Sequence, residues 1–235
     1  MNKQSNSYTI IYISVLVCIV GAVLAWVALA LKPKQNDNIK IDKMQQMLSA
    51  IRITSSADDA ISLYDRYIVD SFIINDKGEK LQGDAFAVSV AAEVKKAPAE
   101  RQLPVFVCNI DNSTKYIIPI YGAGLWGPIW GYISLENDGS TIYGAYFSHQ
   151  GETPGLGAEI AKPAFSSQFM GKHLYKDGEF KSVAVIKNGN VPADGRDYVD
   201  GISGGTITSR GVQTMLQSCL SCYTAFFNEL QQNNK

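Results

Sequence analysis

The chain predicts an α+β protein: an N-terminal transmembrane helix followed by a mainly antiparallel-sheet domain with flanking helices. Three observations carry this. Residues 9–31 hold no charged side chain and are dominated by Ile, Val, Leu and Ala. The middle of the chain is a series of short strand-like segments parted by Asn, Asp and Gly turns, with helical patterns kept to either end. Towards the C-terminus an apolar stripe recurs at helical spacing over many turns. The chain has 235 residues and a formal net charge of −1. About 200 residues therefore lie outside the apolar segment, enough for a well-buried domain. No basic patch points to nucleic acid, and no acidic tail points to disorder.

Residues 1–8 are a short tail and residues 9–31 the transmembrane helix. That helix would span roughly 35 Å, slightly more than the hydrocarbon core. Trp26 lies near one end, where aromatic rings favour the interface. The run is longer than the apolar core of a signal peptide, so a retained anchor is expected, although Ala28-Leu29-Ala30 has the small-residue pattern of a cleavage site. Lys3 precedes the helix, and Lys32, Lys34, Lys40 and Lys43 follow it. Taken alone, the positive-inside rule would put the following domain in the cytoplasm, but the rule is weak for large translocated domains.

Residues 32–55 read as a linker, polar at Asn36, Asp37 and Asn38, and then a first helix with Ile41, Met44, Met47, Leu48 and Ile51 on one face. Residues 56–235 form the folded domain. Ala60, Ile61, Tyr64, Tyr67 and Ile68 predict a second helix, capped by Ser56 or Asp58. Strands follow at 71–75 and 79–82, around the turn Asp76-Lys77-Gly78, then at 105–110 and 116–121. Residues 129–136 and 141–148 flank Asn137-Asp138-Gly139-Ser140, a second hairpin. Residues 180–186 predict one more strand, ended by Asn188-Gly189. Val212, Met215, Leu216, Cys219, Leu220, Tyr223, Phe226, Phe227 and Leu230 form the apolar face of the last helix.

Several chemistries find no support. Cys108, Cys219 and Cys222 outside the apolar run make no disulfide framework. Cys219-x-x-Cys222 has no second Cys pair, and Cys219 falls on the apolar stripe, so a buried structural role is expected. His149 and His173 are the only histidines, and neither has zinc-ligand spacing. No Gly-x-Ser-x-Gly elbow marks a hydrolase, and no Rossmann glycine fingerprint follows a strand.

Three segments are built for close approach to a ligand. Asp200-Gly201-Ile202-Ser203-Gly204-Gly205-Thr206-Ile207-Thr208-Ser209 sets two adjacent glycines and several hydroxyls directly before the last helix. Glycine admits positive φ and a near backbone, and the unpaired amides and dipole of a helix N-terminus hold phosphate. His149-Gln150-Gly151-Glu152-Thr153-Pro154-Gly155-Leu156-Gly157 offers a tight turn, a hydroxyl at Thr153 and an apolar surface at Leu156 for a planar ring. Glu152 reads as a turn or supporting residue. Tyr121-Gly122-Ala123-Gly124-Leu125-Trp126-Gly127 interleaves glycines with aromatics, and Trp126 either stacks on a ring or plugs the core.

The string Asp-x-x-Ser-Gly-x-Thr-x-Thr-Ser resembles the flavinylation motif of the FMN-binding domain family, in which a flavin transferase joins FMN to a threonine through a phosphoester. By position the modified residue is Thr206, with Asp200, Ser203, Gly204, Gly205 and Thr208 around it. Gly205 stands where the family usually has alanine, which keeps access and loosens the backbone. Glu-Thr-Pro-Gly-Leu-Gly resembles the family's second signature and implies that Thr153, Leu156 and Gly157, with Glu152 beside them, lie against the flavin. Gly-Leu-Trp and its aromatic-rich strand resemble the branch serving sodium-translocating NADH:quinone reductases, with Trp126 near the ring. The related G subunit of Rnf electron-transport complexes generally lacks that Trp-rich version and is the nearer alternative. A membrane-tethered binding or assembly module without flavin is the other.

The resemblance covers nearly the whole chain. It implies covalent FMN, electron carriage without catalysis by the chain alone, and a domain on the periplasmic side of the bacterial inner membrane. It also implies partners: the lipid bilayer, the B subunit and the iron–sulfur-bearing membrane subunits of the reductase, and the flavin transferase during maturation.

Overall fold

The computed structural model describes residues 6–233. Lys3 and most of the tail at residues 1–8 lie outside them. The described chain divides into two compact units that meet in sequence between Lys43 and Met44.

The first unit is the greater part of helix α1 (Asn6–Ala50). Its apolar stretch has a mean hydropathy of 2.7 and is long enough to cross a membrane. The linker expected within residues 32–55 is not a break: α1 runs through Pro33 and through residues 36–38. Pro33 removes one helical hydrogen bond. Asn, Asp and Lys, however, each cost less than about 1 kcal/mol in a helix. The final turns, in the second unit, are held by burial of Met47, Leu48 and Ala50.

α1 ends in a Schellman arrangement. Ile53 N–H donates to Leu48 O at 2.9 Å and Arg52 N–H to Ser49 O at 3.0 Å. Arg52 takes the left-handed position with φ 64°, where glycine is usual. Ser134 Oγ, 2.6 Å from Ala50 O, donates into the same helix end. Trp130 Nε1–H reaches Gln46 Oε1 at 3.0 Å. Ser134→Ala is expected to cost about 1 kcal/mol, since it removes one buried hydrogen bond; thermal unfolding of the full chain measures it.

Asp59, one residue beyond the expected Asp58, stands at the N-cap position of helix α2 (Ala60–Tyr67), but its side chain bonds none of the helix amides. Ser56 N–H donates to Asp59 Oδ1 at 2.6 Å. Ile68, expected in the helix, instead opens strand β1 (Ile68–Ile74), followed by β2 (Lys80–Leu81). Helix α3 (Val90–Glu93) precedes β3 (Leu103–Ile110), β4 (Ser113–Ala123), β5 (Pro128–Leu135) and β6 (Ile142–His149). These strands form a six-stranded sheet in the order β2-β1-β3-β4-β5-β6, antiparallel throughout.

The sheet is buried on both faces. Val105, Ile118, Ile120 and Ile133 face one cluster, while Phe106, Ile117 and Tyr132 face another. The period-two geometry of a strand sorts neighbours to opposite sides. Met47, Leu48 and Ile51 fill the second cluster.

The first cluster is covered by helix α5 (Thr206–Leu220) and helix α6 (Thr224–Asn233), joined by a single 3-10 turn. Before them come helix α4 (Pro163–Ser166), β7 (Tyr175–Lys176), β8 (Glu179–Phe180), β9 (Ala184–Ile186) and β10 (Tyr198–Asp200). The strand expected over 180–186 is thus interrupted. Ser182 takes φ 57°, and residues 181 and 182 both donate to Leu174 O. β9 pairs in parallel with β10, the one departure from antiparallel pairing among the described strands.

α5 sits directly on β4. A Cβ on Gly211 would strike Ala123 O, and one on Gly122 would stand 2.8 Å from Met215 Cβ. Cys219 and Cys222 are buried, as expected for structural residues. Cys219 Sγ donates to Tyr121 O at 3.3 Å, and burial pushes its thiol pKa up. Arg101 Nη1 lies 3.3 Å from Cys222 Sγ and donates to it.

Candidate functional site

The fold brings the three glycine-bearing segments together at the N-terminus of α5. Thr206 is the first residue of that helix and is exposed. Gly205 occupies the N-cap and contributes no side-chain oxygen. The first amides of α5 therefore lack a side-chain cap and are donors for an incoming anion. Gly204, with φ 73°, turns the chain into the helix. A side chain there would stand 2.6 Å from Leu156 Cδ2, so glycine lets Leu156 close on the loop.

The loop before Thr206 is tightly tied down. Ile202 N–H donates to Ser209 Oγ at 2.9 Å, and Ser209 N–H to Gly205 O at 2.9 Å. Gly201 N–H donates to Ile186 O at 2.6 Å. Asp200 serves through its backbone: its N–H donates to Gln168 Oε1 at 2.9 Å. Its carboxylate takes no hydrogen bond among the described residues. Ser203 is exposed at the turn.

Thr206 and Thr208 differ sharply. Thr208 is 1% exposed, and its Oγ1 donates to Glu152 Oε2 at 2.5 Å. Glu152, itself 5% exposed, also accepts from Trp126 N–H at 2.9 Å and from Leu125 N–H. One carboxylate thus joins all three segments. Burial raises the pKa of this carboxyl. Hydrogen bonds from Thr208, Trp126 and Leu125, with the nearby His149, outweigh that and hold it below the usual range. Gly124 and Gly157 make room for it, because a Cβ on either would collide with a Glu152 carboxylate oxygen. Behind it, Glu152 N–H donates to His149 Nδ1 at 3.2 Å.

The second segment turns at Gly155, φ 74°. Thr153 O accepts the N–H groups of Leu156 and Ala158, each at 3.1 Å, and the Thr153 side chain stays exposed. Leu156 is 42% exposed, Trp126 69% and Ile207 55%. Trp126 therefore does not plug the core. Large apolar side chains left open near the start of α5 have the character of a surface suited to a flat ring.

Several contributors were not singled out from the sequence. Ile207 adds apolar surface. A cleft of about 460 Å³ opens beside Thr206, walled by Ile186, Lys187, Asn188, Ile202, Arg210 and Gln213 among others. Gln213 Oε1 accepts from Val185 N–H at 2.9 Å and so fixes the end of β9 to α5. Arg210 follows Thr206 by one helical turn, a spacing that could have flagged it. Lys187 arrives only through the β9–β10 pairing.

These features define a domain for binding flavin mononucleotide, and the FMN-binding domain model matches residues 124–221. That span holds the loops around Glu152 and Thr206, helix α5, and the aromatic segment from Gly124 onward. The C subunit of the Na(+)-translocating NADH-quinone reductase from Vibrio anguillarum is 32% identical over 229 residues, covering 90% of this chain and 89% of that protein. Its Yersinia pestis counterpart is 30% identical, covering 90% and 87%. The crystal structure of the C subunit from Parabacteroides distasonis superposes with a TM-score of 0.80 at 54% identity, covering 84% of this chain and 96% of that one. That of Shewanella oneidensis NqrC gives 0.69 at 27% identity, covering 83% and 99%. The chain belongs to the NqrC family, the C subunits of the Na(+)-translocating NADH-quinone reductases.

Proposed function

We propose that this chain is the electron-carrying subunit of a respiratory sodium-translocating NADH:quinone reductase, with FMN joined to Thr206 by a phosphoester. The observation that carries the reading is the contrast between two threonines. Thr206 presents a free hydroxyl at the uncapped start of α5, whereas Thr208 is buried and bound to Glu152. Flavin supplies the redox chemistry when bound; the protein supplies position and surroundings. The first amides of α5 face the phosphate. Leu156, Trp126 and Ile207 offer apolar surface to the ring, and Thr153 a hydroxyl.

A phosphoester prevents loss of the cofactor and leaves the ring free to lie partly exposed, which suits transfer to neighbouring centres. Those centres are the flavin of the B subunit and an iron–sulfur centre of the membrane subunits. The apolar stretch of α1 anchors the chain in the inner membrane, with the domain on the periplasmic side. The lysines after the apolar run oppose that orientation weakly, since large domains cross largely regardless of charge.

Intact and peptide mass spectrometry of the chain co-produced with a flavin transferase tests this. The expected result is a gain of one FMN less water on the peptide containing Thr206. A folded chain with no adduct, beside an active transferase, would favour a tethered binding or assembly module.

A further inference from the structure

The cleft beside Thr206 has an unbalanced charge. Its walls carry Lys187 and Arg210 and no Asp or Glu, in a chain whose net charge is −1. Neither cation makes a hydrogen bond or ion pair among the described residues, and both are exposed. They come from different parts of the chain, Lys187 from the residue just after β9 and Arg210 from α5. Gln213 and the Gly201–Ile186 hydrogen bond hold those elements together. Arg210 lies four residues after Thr206, on the same helix face. Helical side chains lean towards the N-terminus, so its guanidinium is directed at the first turn.

We propose that Arg210, assisted by Lys187, is a positioning residue that clamps the phosphate of the flavin over the first turn of α5. It would act both before attachment and in the finished phosphoester. The inference rests on the flavin reading above and adds to it a residue-level source of phosphate selectivity. A guanidinium is suited to the task because its planar fork pairs two phosphate oxygens at once. The apolar surface at Leu156 and Trp126 would hold the ring of FMN and riboflavin alike. Only the phosphate would distinguish them, and Arg210 is the side chain best placed to do so, beside the first amides of α5 and Lys187.

The test uses the full chain in detergent, produced without a flavin transferase and titrated with FMN and with riboflavin by fluorescence. Wild type is expected to bind FMN about tenfold more tightly than riboflavin, a preference that shrinks with added salt. R210Q should erase most of that preference, and K187Q a smaller part. The unfolding transition of R210Q should not move, because the side chain is exposed and unbonded. Equal affinity for the two ligands in wild type, no measurable binding of either, or an undiminished preference in R210Q would overturn the clamp. An FMN adduct on Thr206 alongside any of those outcomes would leave the flavin reading standing. Absence of the adduct would remove both.

Discussion

Replacing Thr206 by valine is expected to abolish the covalent flavin completely while leaving the fold in place. The hydroxyl is exposed and makes no hydrogen bond among the described residues, so its loss should change stability by no more than about 0.5 kcal/mol. Valine keeps the branched shape at the first helical position. Thr208→Val should behave in the opposite way. There the hydroxyl is buried and donates to a carboxylate, so removing it costs about 2 kcal/mol. Attachment at Thr206 should survive in whatever fraction stays folded. Mass spectrometry and thermal unfolding of the two variants together separate acceptor from scaffold. A flavin adduct retained in T206V would move the attachment elsewhere and defeat the contrast on which the functional reading stands.

Much of this contrast was visible in the linear chain, and what escaped did so for identifiable reasons. The loop could be picked because a glycine pair followed by a helix start is a local pattern, while the choice of Thr206 within it rested on the resemblance to the flavinylation motif. The strands of the sheet were legible because Ile117, Ile118 and Ile120 are β-branched and bounded by turns, although burial on both faces blurs polar alternation. β10 was missed because three residues pair in parallel with a strand set well before them in sequence, and no local pattern announces that pairing. The break at Ser182 was equally hidden, since a serine at φ 57° is set by surroundings rather than propensity. The continuity of α1 was missed for the converse reason. Residues 36–38 are weak but adequate helix formers, and burial of the last turns decides the matter. The cleft combines both situations: Arg210 sits at a readable spacing from Thr206, while Lys187 depends on the unread pairing of β9 with β10.

Glu152→Ala is expected to have the largest effect on stability among the site variants, about 3 kcal/mol, because it orphans several donors at once. Thr208 Oγ1–H, Trp126 N–H and Leu125 N–H all end on that carboxylate. Glu152→Gln retains the shape and one oxygen and should cost about half as much. For a domain of this size the alanine variant should melt roughly 6–12 °C lower. The pH dependence has a definite sign. The folded-state pKa of Glu152 lies below its ordinary value of 4.5. Its contribution is therefore full above that value and is lost as pH falls through the lower folded pKa. Wild type should lose stability more steeply below pH 4.5 than E152Q, and the two curves should converge in strong acid. The functional consequence differs from that of T206V. Thr206 does not touch Glu152, so the flavin should still attach in E152Q. The loops bearing Trp126 and Leu156, however, would be tied less firmly to α5, because the amide keeps only one of the two acceptor oxygens. The attached flavin should then rotate more freely, and its fluorescence anisotropy should fall. An anisotropy equal to wild type, with the same pH profile of melting, would mean that the carboxylate neither orders the ring's surroundings nor carries the acid-sensitive part of the domain's stability.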